Sequence, residues 1–318
     1  MSGAQLKMRP FNFNQWLSKM RKTIIYFGIL SIFVFLYPAS IAETQSSVNP
    51  NGGEQSRQAV PEFYDLLILG IDRRPHQQSG RSDVILIVHC EPNRITLFSI
   101  PRDTVVPIGK KRDKINHAYA FGGTKLAKAT IERFLKFKVD NYVLVDFETF
   151  LTTVDVIKKL TDNGRLIGAE NFLMSGENLL KWLRFRGLPE GDRRRCQRHQ
   201  LFIKRVMEYV QQMYINQHAL FSQCMKAGLK IVETDLTYEH TEKLVETYKN
   251  YDLENDIERY VLPGYGKAYY RANEETGDEE LSGWYYYAKY DWPLVTYINW
   301  YRKNGVRMNY VESDILRK

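Results

Sequence analysis

Arginines and aspartates recur together at the ends of three short apolar runs. The first run ends in Gly70-Ile71-Asp72-Arg73-Arg74, the second is preceded by Gly80-Arg81-Ser82-Asp83, and the third ends in Pro101-Arg102-Asp103-Thr104. A fourth segment is denser: Arg184-Phe185-Arg186, then Gly191-Asp192-Arg193-Arg194-Arg195-Cys196-Gln197-Arg198-His199-Gln200. A guanidinium is a planar fork that grips two phosphate oxygens at once, which the point charge of a lysine does not do. One Arg-Asp pair on a surface is common and weak. Three in similar contexts, with ordered Arg-x-Arg and Arg-x-x-Arg spacings further on, point to one polyanion site. Arg195 and Arg198, three apart at the entry to a helix, can project from one face.

These groups need a frame. Tyr64 to Leu69, Val84 to His89 and Ile95 to Ile100 are apolar, rich in branched residues and bounded by Gly, Pro, Asn or Asp, and read as strands. Leu126, Ile131, Phe134 and Leu135 give the stretch from Thr124 to Phe137 one buried helical face, and Tyr142 to Phe147 returns to strand. Leu201 to Met213 has helical spacing, and another helix is expected from near Thr237, with Glu239 and Glu242 in its first turn. Runs buried on both faces and alternating with helices predict an α/β domain, a central sheet between helical layers. In open α/β sheets ligands bind outside strand ends, where the Arg-Asp pairs stand.

The chain has 318 residues, a net charge of +8 and three cysteines, Cys90, Cys196 and Cys224, too few and too unevenly spaced for a disulfide scaffold or zinc knuckle. They read as free thiols, and the histidines show no metal-ligand spacing. The basic charge is concentrated in two places. Residues 1–22 hold Lys7, Arg9, Lys19, Arg21 and Lys22 and no acid; residues 181–198 hold seven basic side chains against Glu190 and Asp192. The rest of the chain is slightly acidic.

Residues 23–42 carry no charge and approach the ~20 residues that cross hydrocarbon. By the positive-inside rule the basic leader, 1–22, stays in the cytoplasm and everything after Ala42 lies outside. The stretch reads as an uncleaved transmembrane anchor, since the basic leader is long and the apolar run exceeds a usual signal core; a cleaved signal peptide is the competing reading, because Ser40-Ile41-Ala42 has the small residues that a signal peptidase accepts. Residues 43–61, rich in Ser, Asn, Gly, Gln and Glu, read as a flexible tether, leaving 62–318 as the folded unit.

The order LLILGIDRR, GRSDVILIV, SIPRDT, KINHAYAFGG, VDNYVLVDF, RFR and GDRRRCQRHQ resembles the LytR-CpsA-Psr family of membrane-anchored envelope enzymes, from about Tyr64 to Met213. The resemblance implies an α-β-α layered domain with a central mixed sheet, outside the cytoplasmic membrane. Its apolar cavity would hold a polyprenyl chain and its arginines the pyrophosphate. Members transfer a glycopolymer from undecaprenyl pyrophosphate to peptidoglycan, with Mg²⁺. Carried over by motif, Asp72 and Asp83 position Mg²⁺, Arg102 is essential for transfer, and Arg81, Arg184, Arg186, Arg195, Arg198 and Gln200 join Arg102 in binding pyrophosphate. A glutamine usually follows the last arginine of the motif; here His199 takes that place and Gln200 comes one later. Asp83 or Asp103 is expected to assist deprotonation of the acceptor. Two carboxylates suit Mg²⁺, which takes its remaining ligands from phosphate and water.

Other readings use the same residues. A hydrolase or a non-enzymatic lipid-pyrophosphate binder needs the same pocket. A membrane-tethered regulator needs the arginines in the cytoplasm, against the charge asymmetry, and no helix-turn-helix or RNA-binding motif is visible, so no nucleic-acid partner is expected. The aromatic C-terminal part, Trp284 to Tyr287 with Tyr290, Trp292, Tyr297, Trp300 and Tyr301, reads as core or interface packing, with stacking on acceptor sugars as the alternative.

Overall fold

The computed structural model describes residues 63–72, 80–146, 176–185, 191–216, 221–222, 226, 229, 232–240, 249–272 and 279–305. The basic leader, the apolar run at 23–42, the tether and Cys224 lie outside them. Among the described residues no helix is long and apolar enough to cross a membrane.

A six-stranded mixed sheet forms the centre. Its strands are β1 (Tyr64–Asp72), β2 (Arg81–Glu91), β3 (Arg94–Ser99), β6 (Asn141–Asp146), β7 (Glu233–Thr234) and β8 (Ile257–Val261), in the order β7-β6-β1-β2-β3-β8. β1 pairs antiparallel with β2 and parallel with β6; β3 pairs antiparallel with β2 and parallel with β8. Pro92 and Asn93 make the β2–β3 turn. Proline fixes its own φ, and asparagine tolerates the positive φ of 66° found there.

Strand alternation sends side chains to two cores. Leu66, Ile68, Leu86 and Leu97 face a helical layer of α2 (Gly176–Arg184) and α3 (Gly191–Asn216), packing with Leu183, Phe202 and Ile203. Leu67, Leu69, Ile85, Ile87 and Phe98 face the other way, onto α1 (His117–Leu135) and α4 (Leu294–Lys303), with Ile131, Tyr297 and Tyr301. The expected layered α/β arrangement with a mixed sheet is therefore present. Cys90 and Cys196 are buried free thiols.

Some boundaries differ from expectation. α1 starts at His117, seven residues before the expected Thr124, and is broken at Gly122 and Gly123, where φ of +60° at Gly123 needs a glycine. It ends at Leu135, two residues early, because Lys136 turns left-handed and its N–H bonds to the Glu132 carbonyl. α3 begins at Gly191, so the arginine-rich segment is itself helical. Residues 238–240 are helical, with the His240 N–H on Thr237 Oγ1 at 3.1 Å, as expected for a start near Thr237; Glu242 lies outside the described residues.

Two ribbons were not visible in the sequence pattern: β4 (Val105–Ile108) with β5 (Lys111–Lys114), and β9 (Gly264–Ala272) with β10 (Glu279–Ala288). The aromatic C-terminal part is divided between two uses. Tyr297 and Tyr301 are buried and Tyr286, Tyr290, Trp292 and Trp300 pack against the same core, while Trp284 is 55% exposed on β10.

Candidate active site

One cavity of about 260 Å³ lies between the sheet and the α2–α3 layer. Its walls come from strand ends. Asp72 and Asp146 stand at the carboxyl ends of the parallel neighbours β1 and β6, and Asp83 and Val84 at the start of β2. α2 supplies Leu180, Leu183 and Arg184; α3 supplies Arg195, His199, Phe202 and Ile203, whose spacing of four, three and one keeps them on one helical face. The result is graded. Asp72, Asp83, Asp146, Arg102, Arg184 and Arg195 form a charged end, and Ile68, Leu86, Leu180, Leu183, Phe202 and Ile203 an apolar one.

Gly70 makes the entrance possible. β1 bulges between Gly70 and Ile71, and a Cβ on Gly70 would sit 2.7 Å from the Val84 Cβ, closer than side chains pack. Any larger residue would push β1 and β2 apart beside Asp83.

The charged end is organised around Asp83. Arg102 Nη1 donates a short hydrogen bond to Asp83 Oδ2, and Arg195 Nη1 lies 3.8 Å from the same oxygen. Arg195 Nη2 donates to the Asp83 carbonyl at 3.2 Å and pairs with Asp192 at 2.7 Å. Asn116 Nδ2 is 3.4 Å from Asp83 Oδ1. The turn holding Arg102 is knitted to the Asn116 loop: Asn116 N–H donates to the Arg102 carbonyl at 3.2 Å, and Ile115 N–H to the Thr104 carbonyl at 2.8 Å. On the far side, Arg102 Nε lies 3.6 Å from Asp103 Oδ2, whose other oxygen pairs with Lys114 at 2.9 Å. Arg184 approaches Asp72 to 3.8 Å.

Arg195 and Arg198 are buried, at 4% and 3% exposure. The Nε–H groups of Arg102, Arg195 and Arg198 are buried with no hydrogen-bond partner among the described residues. An unsatisfied buried donor costs about 1–3 kcal/mol, more when charged, so the two on the arginines that meet Asp83 favour an anion there. Arg198 donates to the Phe185 carbonyl and stacks 5.9 Å from both Trp182 and Phe185; burial, then the nearby Arg195, holds its pKa below the usual arginine range. The amino end of α3 adds a further partial positive charge.

His199 is neutral. Burial, followed by Arg195 and Arg198, lowers its pKa to about 3, and its Nε2–H donates to the Leu183 carbonyl at 3.2 Å, tying α3 to α2.

Of the residues expected from sequence, the fold brings Asp72, Asp83, Arg102, Arg184 and Arg195 to one cavity. Arg198 supports that cavity from beside α2. Arg81 is exposed, paired across the ladder with Asp72 but outside the cavity wall. Arg186 lies outside the described residues. Asp103 is not on the wall; it holds Arg102 from behind. Gln200 is a correction. It is 1% exposed and its amide donates to the Leu97 and Tyr260 carbonyls and to Ser99 Oγ, so it pins α3 to β3 and β8 instead of facing the cavity. Asp146, Asn116 and His199 were not singled out as site residues, although each lies within a quoted motif.

Asp72 and Asp83 fit the expectation of Mg²⁺ in kind: both are hard oxygen donors on one wall. Among the described residues no group of three or more His, Cys, Asp or Glu could hold a metal ion alone, so a cation here would take ligands from a phosphate.

Residues 32–288 match the LytR_cpsA_psr family. A Bacillus mycoides (strain KBAB4) protein named polyisoprenyl-teichoic acid--peptidoglycan teichoic acid transferase TagU is 32% identical over 305 residues, covering 84% of this chain and 93% of that protein. Its namesake from Bacillus subtilis (strain 168) is 33% identical over 235 residues, 66% of this chain and 73% of that protein. Among solved structures, B. subtilis TagV is similar with a TM-score of 0.55 at 22% identity, over 77% of this chain and 96% of that chain. TagT bound to LIIa-WTA is similar with a TM-score of 0.52 at 22% identity, over 77% and 92%. These likenesses concern the fold.

Proposed function

The chain belongs to the LytR_cpsA_psr family and is an enzyme of its transferase type, and from that premise we propose that it moves a glycopolymer from a polyprenyl pyrophosphate carrier to a cell-wall acceptor such as peptidoglycan. The observation that carries this reading is the graded cavity, apolar along α2 and α3 and ending at Asp83 between Arg102 and Arg195. A lipid pyrophosphate has the same two-part chemistry. The isoprene units next to the pyrophosphate lie against Leu183, Phe202 and Ile203, and the phosphate oxygens meet Arg102, Arg184 and Arg195, supported by Arg198.

In the reaction the acceptor hydroxyl attacks the phosphorus bonded to the glycan. A P–O bond forms to the acceptor, the bond between that phosphorus and the bridging oxygen breaks, and polyprenyl phosphate leaves. Charge grows on the leaving phosphate, and fixed guanidiniums in a water-poor cavity stabilise it without reorganising. Phosphoryl transfer through a loose transition state asks little of a base. Asp83, the one of the two expected carboxylates that lines the cavity, receives the acceptor proton; Asp103 and Asn116 position its partners. Asp72 and Asp83 would hold Mg²⁺, which supplies further neutralisation of phosphate charge when bound.

The topology that fits is a cytoplasmic basic leader, an apolar anchor at 23–42 and a folded unit outside the cytoplasmic membrane. Mass spectrometry of lipid extracted with the full-length detergent-solubilised protein tests the proposal. A prenyl pyrophosphate in the wild type, reduced by Arg195→Ala, supports it; absence of any prenyl phosphate species from all preparations counts against it.

A further inference from the structure

The β9–β10 ribbon carries an exposed aromatic face that the transfer chemistry leaves unused. In its register Tyr265 opposes Tyr287, Lys267 opposes Tyr285 and Tyr269 opposes Gly283, so alternate residues of both strands share one face. On that face Tyr265 stacks on Tyr287 at 5.6 Å, Tyr269 meets Tyr285 edge-on at 5.0 Å, and the Tyr269 and Tyr287 hydroxyls bond at 2.8 Å. Tyr265 is nonetheless 60% exposed and Tyr269 38%. The opposite face is fastened down at Tyr286, while Trp284 and Tyr270 further along it are 55% and 59% exposed. Tyr286 packs on the core, its hydroxyl donates to the Leu262 carbonyl at 2.7 Å, and its N–H donates to the Asp103 carbonyl at 2.9 Å.

The ribbon is continuous with the arginine site. Lys114 Nζ lies 4.7 Å above the Tyr285 ring and 2.9 Å from Asp103, the residue behind Arg102. The apolar half of the cavity lies on the α2–α3 side of the sheet, whereas the ribbon is backed by the core on the α1–α4 side. The two surfaces therefore approach Arg102 from different directions, as the two substrates of a transfer reaction must.

We propose that the Tyr265–Lys267–Tyr269–Tyr285–Tyr287 face binds the saccharide chain of the acceptor, a glycan strand bearing carboxylates. Planar rings rimmed by hydroxyls suit the C–H faces and hydroxyl edges of sugars, and the exposed Lys267 suits their carboxylates, while Lys114 is held by Asp103. This assignment rests on the transfer reading for the identity of the acceptor.

The test uses full-length protein in detergent and, as probe, soluble peptidoglycan glycan strands freed of their peptides. Tyr265→Ser/Tyr269→Ser is expected to weaken strand binding about tenfold while leaving the circular dichroism spectrum and co-purified lipid unchanged. Tyr265→Phe, which keeps the ring, retains most binding. Lys267→Glu, which reverses the charge of an exposed side chain lying 5.1 Å over the Tyr269 ring, gives a loss in the same direction. Unchanged strand binding in the double variant and in Lys267→Glu overturns the proposal. So does a defect confined to phosphatidylglycerol vesicles, which would make the ribbon a membrane contact, or one confined to oligomeric state, which would make it a self-association surface. Ribbon-dependent strand binding without prenyl-pyrophosphate turnover in the wild type would sustain the glycan face and remove the transfer reading.

Discussion

Asp83 and Arg102 are joined by a hydrogen bond from Nη1 to Oδ2 that ties the start of β2 to the turn after β3. Arg195, from α3, lies 3.8 Å from the same carboxylate oxygen. One carboxylate thus sets the spacing of two guanidiniums carried by different elements, and a phosphate meeting both finds them already oriented. The site's chemistry follows from that preorganisation.

Arg102→Ala is expected to lower kcat about 10²- to 10³-fold, the usual loss for one fixed donor at a developing charge. Circular dichroism and melting temperature stay near wild type, because Arg195 still accompanies Asp83. Arg102→Lys restores little, since an ammonium cannot serve Asp83 and the phosphate through a fork. Steady-state transfer rates for the three proteins check this; wild-type turnover in Arg102→Ala would remove the residue from the mechanism.

Asp103→Asn separates positioning from catalysis. Asp103 touches Arg102 Nε at 3.6 Å and Lys114 at 2.9 Å but does not line the cavity. The expected result is a fall of about tenfold in kcat with KM for the lipid little changed, less severe than Asp83→Asn. Equal losses in both variants would place Asp103 among the reacting groups.

Much of this was legible in the sequence because it depends on short-range order. Branched apolar runs marked β1, β2, β3 and β6, and Arg-Asp pairs beside them marked the strand ends where ligands collect. Gln200 was misplaced for a rotational reason: a helix turns about 100° per residue, so Gln200 leaves the face shared by Arg195 and His199 and points to the sheet. Asp146 gave no separate signal, since a lone aspartate closing a strand looks like any strand terminus until β6 is known to lie parallel to β1. The β9–β10 ribbon was hidden because a cluster of Tyr and Trp reads the same whether it packs inward, as Tyr286 does, or outward, as Tyr265 does.

His199 gives a pH dependence of stability with a definite sign. Its pKa falls from 6.5 to about 3 on folding, chiefly through burial and then through Arg195 and Arg198. The unfolded chain therefore binds the extra proton between those values. Stability from this group is complete above pH 6.5 and is lost as pH drops toward 3, by at most about 1.4 kcal/mol per pH unit. Urea melts at pH 7.5 and 5 are expected to show a steeper loss in wild type than in His199→Gln. Parallel curves would mean that His199 does not titrate as its surroundings require.

Filling the apolar end tests the lipid cavity without touching the arginines. Ile203→Trp is expected to reduce co-purified prenyl lipid severalfold, with overpacking costing about 1–3 kcal/mol of stability. Affinity for inorganic pyrophosphate, read by calorimetry, remains. Undiminished lipid in a folded Ile203→Trp protein would place the chain elsewhere.

Mg²⁺ is expected to strengthen pyrophosphate binding through Asp72 and Asp83. Calorimetry with and without Mg²⁺ reads this directly. Asp72→Asn is predicted to keep the metal-free affinity and lose the metal-dependent gain; an equal gain in variant and wild type would exclude Asp72 as a ligand.

The central claim is tested by supplying an undecaprenyl-pyrophosphate-linked glycan to wild-type protein and to Arg102→Ala, each with and without peptidoglycan, and following both glycan and lipid. The account predicts that wild type attaches glycan to peptidoglycan and releases undecaprenyl monophosphate in equal amounts, only when the acceptor is present, and that Arg102→Ala does both about 10²- to 10³-fold more slowly. Lipid released at the same rate without acceptor, or transfer undiminished in Arg102→Ala, would contradict it.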